Sequence, residues 1–197
     1  MVADSFTAIE SNVRYVDGSA ELDDCPLGDM SELASTAAVL VDLPNGVVDG
    51  ELTVDAYGAE PDYPALIQCF TALPADDSLT IDDPQSFGVS VSGLPSGSYR
   101  QFLLDAAFGD GTTVVVERSR QRHDGDVFGY LYSGEVVGCG ADWVDREHEI
   151  AISVYLDGAE RTSDECIKVL DATLERLMSG LIDYSKTTPW ANGKSLE

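Results

Sequence analysis

Cys25, Cys69, Cys139 and Cys166 carry the most defined chemistry in this chain. None belongs to a Cys-x-x-Cys pair, so the spacing argues against a zinc site or a dithiol redox motif. An even number of dispersed cysteines reads as two disulfides, and disulfides persist in oxidising compartments. The expected location is therefore extracytoplasmic: secreted, or anchored at the cell envelope. A second cluster is Arg118, Arg120 and Arg122, three of the eight arginines within five residues. Spacing of i, i+2 and i+4 places them on one face of a strand. Guanidinium groups recognise carboxylate or phosphate through paired N–H donors, so these residues are candidates for an anion or acidic-partner site. The simpler alternative is that they pair with acids of the same chain. A third group is aromatic. Tyr130, Tyr132 and Trp143 are candidates for the lining of a ligand groove between sheet and helix, with core packing as the alternative.

Catalytic signatures are absent from the sequence. There is no Gly-x-Ser-x-Gly, no His-Glu-x-x-His and no phosphate-binding loop. The two histidines, His123 and His148, are expected to be structural or superficial. With 36 Asp and Glu residues, no carboxylate pair stands out as a glycosidase couple. No Asp-x-Asp-x-Asp-Gly loop supports calcium binding. The expectation is a non-catalytic protein without cofactor or metal, whose partner is an unidentified small molecule or envelope protein. A secreted hydrolase with a site assembled only in three dimensions is the alternative, as is an accessory subunit of a surface complex.

Charge narrows the partners further. The formal net charge is -25, and sixteen acids but no Lys or Arg lie between Arg14 and Arg100. Such a field opposes phosphate, which excludes nucleic acid and anionic lipid as partners of that half. A hydrophobic content of 44% is enough for a packed core and too high for a disordered chain. No run of about eighteen apolar residues spans a membrane. Three lysines against eight arginines, with abundant Asp, Ala, Gly and Val, suggest a GC-rich genome; a haloarchaeal source would give the same bias. Met1-Val2-Ala3-Asp4 is no secretion leader. Secretion then implies a leader removed upstream, where a lipid-anchoring cysteine would also lie. Met1 and Leu196-Glu197 read as vector remnants, with 1–185 as one globular domain and 186–197 as a tail.

The elements that must position these residues follow from periodicity. Met30, Leu33, Ala34 and Ala37 recur at helical spacing over 29–38, with Asp29 or Ser31 as the cap. Leu40-Val41 reads as the start of a strand. Strands are expected at Leu52–Val54, Tyr63–Leu73, Phe87–Val91, 112–118, 127–137 and 147–156, and a helix at about 99–108. In the 147–156 strand, Ile150, Ile152, Val154 and Leu156 share one face. Glu147, Glu149, Ser153 and Tyr155 share the other, so that face is expected to be wet. A long helix over 163–182 begins with Thr162 and Glu165 at capping-box spacing. Its stripe of Ile167, Leu170, Leu174, Leu177 and Leu181 needs an apolar sheet face to cover. The predicted class is α+β: an antiparallel sheet of about five to seven strands, helices packed mainly on one face, and two disulfides.

Four cysteines permit three pairings. The sequential one, Cys25–Cys69 and Cys139–Cys166, is favoured, on one condition. If 127–137 pairs directly with 147–156, Cys139 sits at the opposite end of the hairpin from Cys166, beyond the reach of a bridge. If the tight turn lies at Asp145-Arg146, with Cys139–Val144 as the partner strand, the bridge is feasible.

The arrangement of a cysteine before an early helix, a second on a strand (IQCFTAL), a third before a strand (GCGADW) and a fourth in the first turn of the last helix (SDECIKVLDATLERL) resembles a known family. It is similar to the four-cysteine secreted lipoproteins of actinobacteria, the mycobacterial Lpp/Lpq type. More distantly it resembles the extracellular sensor domain of a mycobacterial receptor serine/threonine kinase. The resemblance implies a disulfide-stapled α+β domain at the cell envelope. It implies no catalytic residues.

Overall fold

The computed structural model describes residues 25, 27–43, 52–57, 66–73, 85–93, 113–122, 125–134, 136–145 and 150–187. Helix α1 spans Met30–Leu40. Its first turn is closed by Asp29, whose carboxylate accepts from the Glu32 amide at 3.1 Å. Met30, Leu33, Ala34, Ala37 and Ala38 form its buried stripe. Leu40-Val41 starts no strand. Val41 caps the helix, Asp42 takes a left-handed φ of 56°, and the Leu43 amide returns to the Ala38 carbonyl at 2.9 Å. This is a Schellman ending with Asp, a residue that tolerates the left-handed region, where glycine is usual.

Seven strands follow: β1 Thr53–Tyr57, β2 Leu66–Ala72, β3 Ser86–Gly93, β4 Thr113–Arg122, β5 Gly125–Ser133, β6 Gly138–Asp145 and β7 Ile150–Asp157. They form one antiparallel sheet in the order β1-β2-β3-β7-β6-β5-β4. Two meanders, β1–β3 and β4–β7, meet where β3 pairs with β7. The α+β class and the antiparallel sheet are thus as expected from periodicity. The expected helix at about 99–108 lies outside the described residues, as do His123 and His148.

Helix α2 spans Ser163–Thr187, five residues past the expected end. The Thr162–Glu165 capping box is formed. The Thr162 amide donates to Glu165 Oε2 at 2.7 Å, and the Glu165 amide donates to Thr162 Oγ1 at 3.3 Å. Burial pushes the Glu165 carboxyl up, but the Thr162 amide and hydroxyl and the Arg161 guanidinium together hold it below its ordinary value. Arg161 also donates to Gln85 Oε1 at 2.5 Å, tying the start of α2 to the entry of β3.

Both helices cover one face of the sheet: α2 lies over β5, β6 and β7, while α1 packs on β2 and α2. The core between them includes Ile67, Phe87, Val89, Val91, Ile152, Val154, Leu156, Trp143, Leu170 and Leu174. Both disulfides are sequential. Cys25–Cys69 joins the segment before α1 to β2, with Cα atoms 6.0 Å apart. Cys139–Cys166 joins β6 to the first turn of α2, with Cα atoms 5.9 Å apart. The partner strand that the pairing requires is present, because β6 pairs with β7; the turn itself lies outside the described residues. Closing loops of 44 and 27 residues removes about 4 and about 3.5 kcal/mol of unfolded-state freedom, respectively.

Candidate functional site

At its centre, the face of the sheet turned away from the helices is not wet, although Gln68, Phe70, Phe128 and Tyr155 are only half-buried and Glu147 and Glu149 lie outside the described residues. Every residue of β6 from Gly138 to Val144 is buried, so this interior strand is enclosed on both sides. Ser90, Ser153 and Asp142 are buried with it. Strand register explains how the chain achieves this. Phe70, Gly88, Tyr155, Gly140 and Tyr130 stand in one row across five strands. A Cβ on Gly88 would run into the Phe70 ring, and one on Gly140 would run into the Tyr130 ring. The bare backbone of these two glycines lets aromatic rings lie flat over the neighbouring strand. The rings of Tyr130 and Tyr132 lean together, 6.4 Å between centroids, and join Val144 and Ala151 in a small second core. Phe128 and Tyr155 flank it, partly buried.

The adjacent row is polar: Gln68, Ser90, Ser153 and Asp142, then Phe128. Asp142 is 0% exposed. Its Oδ1 accepts from the Tyr130 hydroxyl at 3.3 Å, and Ser153 also donates to the carboxyl. Its Oδ2 is buried and has no hydrogen-bond partner. Burial drives the Asp142 carboxyl up to about 7, against the smaller lowering effect of the Ser153 and Tyr130 donors. Tyr155 closes the network through Ser153, Ser90 and Tyr130, and burial followed by the Asp142 charge pushes its hydroxyl up to about 12. One row further along, Tyr132 reaches across Gly138 to donate to the Asp157 carboxylate, which also accepts from the Ser86 hydroxyl at 3.0 Å. Burial and then the Asp157 charge raise the Tyr132 hydroxyl.

Chemically, this is a carboxyl near half-protonation at neutral pH, held among four hydroxyls. It can store and release a proton and can accept one further hydrogen bond at Oδ2. Among the described residues, no group of His, Cys, Asp and Glu is arranged to hold a metal ion.

The residues singled out from sequence fall elsewhere. Trp143 belongs to the helix-side core, whereas Tyr130 and Tyr132 lie on the opposite face. The fold therefore does not gather the three into one groove between sheet and helix. Successive strand residues point to opposite faces, and Trp143 and the tyrosines fall on opposite parities of the register. Arg118, Arg120 and Arg122 occupy alternate positions on the edge strand β4, opposite Gly129, Val127 and Gly125. Their side chains lie outside the described residues. A separate cleft of about 550 Å³ opens between the Leu27–Asp29 turn, α1 and α2, where Arg176 pairs with Glu32.

Asp142 was not among the candidate residues, yet its signal was present. In Gly138-Cys139-Gly140-Ala141-Asp142-Trp143, alternation sets Asp142 on the face opposite Cys139 and Trp143. The glycines on that same face require large neighbours on the next strand.

No protein family and no curated protein matches this chain. Among solved structures, it is similar to the solution structure of cyanobacterial PsbP (CyanoP) from Synechocystis sp. PCC 6803, with 13% identity over 69% of this chain and 93% of that one. The TM-score is 0.28, and a likeness of that size carries no argument about what this chain does.

Proposed function

We propose that the chain is a non-catalytic binding or sensor-type domain of a cell-envelope protein, of the kind represented by four-cysteine secreted lipoproteins. The observation that carries this reading is where the reactive groups sit. All four cysteines are consumed in bridges, and the strongly perturbed carboxyl, Asp142, is sealed away from substrate. A catalytic acid must reach the atom it protonates, within about 3 Å or through one water. Asp142 reaches only the hydroxyls of its own sheet. Two disulfides suit an oxidising compartment, and the acidic surface suits partners that are not polyanions. The partner is a small molecule or an envelope protein. Arg118, Arg120 and Arg122 on the β4 edge remain the candidates for acidic groups of that partner.

The test has two arms. The natural gene, tagged at its C-terminus, is expressed in its source cell and the cell is fractionated. Recovery with the envelope or the medium supports the reading, and recovery with the cytosol contradicts it. The purified protein is then offered chromogenic esters, phosphate esters and glycosides. Turnover that disappears in Asp142→Asn would replace the binding reading with a hydrolase.

A further inference from the structure

We propose that Asp142 makes the second face of the sheet proton-responsive: closed while its carboxyl is neutral, and opened locally to water when the carboxyl ionises. This deepens the sensor-type reading, on which it rests for its biological use but not for its chemistry.

The geometry carries the inference. Asp142 lies on the interior strand β6, fully buried, with Oδ2 lacking any donor. A buried carboxylate is tolerated where a cation or several N–H donors surround it. Here the groups facing it are Tyr130 from β5, Ser153 and Tyr155 from β7, and Ser90 from β3. None is a cation. Among the described residues, the charged groups further along the same face are Asp157 of β7 and Asp126 of β5, both acids. On β4, the positions in register with this face are Val114, Val116, Ser119 and Gln121, none of them basic. Ionisation thus places a charge in a closed site with two hydroxyl donors and an acidic periphery.

Oδ2 lacks a partner in either state, but the neutral form strains the site less, because an unpaired neutral oxygen is less costly to bury than a charge. Deprotonation places a full charge in a site that already lacks one donor. Water is the available donor, and it enters only if the packing around Asp142 opens locally. The raised affinity of this carboxyl for its proton sets the transition near neutral pH.

Two measurements on the whole chain decide the matter. In carbon-13-labelled protein, the Asp142 carboxyl resonance is identified by its loss in Asp142→Asn and titrated directly. A midpoint near 7 is expected. A midpoint below about pH 5 overturns the inference, because the carboxylate would then be charged and tolerated throughout the neutral range. Amide hydrogen exchange is then followed from about pH 5 to about pH 8.5, corrected for intrinsic rates. Protection of the β5, β6 and β7 amides around Asp142 is expected to fall at least about tenfold in the wild type and less than about twofold in Asp142→Asn. Equal profiles in the two proteins overturn the inference, even if the carboxyl titrates near 7. Should Asp142→Asn fail to fold, Tyr130→Phe serves instead: loss of one donor to the carboxylate moves the midpoint upward. A cytosolic location would remove the sensor reading and leave these results untouched.

Discussion

Replacing Asp142 by Asn should change how stability depends on pH, and the size of the effect follows from the site. The ordinary carboxyl value of 3.8 rises to about 7 in the folded chain. Between those values the folded state holds a proton that the unfolded state has released. Stability from this group is therefore fully present below about pH 4 and is lost as pH rises through 7. About three pH units at 1.36 kcal/mol each amount to about 4 kcal/mol. That is a large share of the ~5–15 kcal/mol that holds a typical domain together. Asn has the same shape and no charge, so Asp142→Asn removes this slope while leaving the other 35 acidic residues in place. Urea unfolding of both proteins at several pH values gives the difference in stability at each. Relative to the wild type, the variant should gain about 4 kcal/mol between about pH 4 and pH 8. Any fixed cost of the Asn amide in the site cancels from this change. A difference that stays flat with pH would refute the reasoning, because it would mean that Asp142 is ionised in the fold without penalty.

Four further variants probe the parts that build the fold and the site. Gly140→Ala should cost about 1–3 kcal/mol and weaken the near-ultraviolet tyrosine signal, because the new methyl group meets the Tyr130 ring. Thr162→Ala should cost about 1 kcal/mol in urea with an unchanged denaturant slope, as loss of a helix cap does. Serine replacement of Cys139 and Cys166 should cost about 3.5 kcal/mol, and that of Cys25 and Cys69 about 4 kcal/mol, each read from the unfolding midpoint.

Much of the fold was legible because its signals are local. Asp29 before a helical stripe and Thr162 three residues before Glu165 mark the starts of both helices. Alternation in Phe87–Val91 and Ile150–Leu156 marks β3 and β7. The cysteine pairing hinged on which segment forms the hairpin with β7; that segment is β6, as the sequential pairing requires, while the turn expected at Asp145-Arg146 lies in 146–149, outside the described residues. Local signals failed at Leu40-Val41, where two apolar residues look like a strand. A left-handed Asp42 ends the helix there instead. They failed more seriously on the second face. Ser153 and Tyr155 are polar enough to suggest solvent, but Ser153 stands between Ser90 and Asp142, and Tyr155 between glycines on the two flanking strands with rings one strand beyond. Alternation around Cys139 and Trp143 gives the face of Asp142, but the rows that join Gly88 to Gly140 and Ser90 to Asp142 exist only through register, which no window of the sequence contains. The same limit applies to Trp143 and the tyrosines. As residue types they suggest a groove, whereas strand parity places them on opposite sides of the sheet.

The most direct single measurement is a thiol count on the protein as its own cell makes it. The protein is denatured without reductant, alkylated and weighed intact. No added label is expected, because all four cysteines are paired. Four labels per chain would contradict both the bridged fold and the extracytoplasmic setting on which the envelope reading depends.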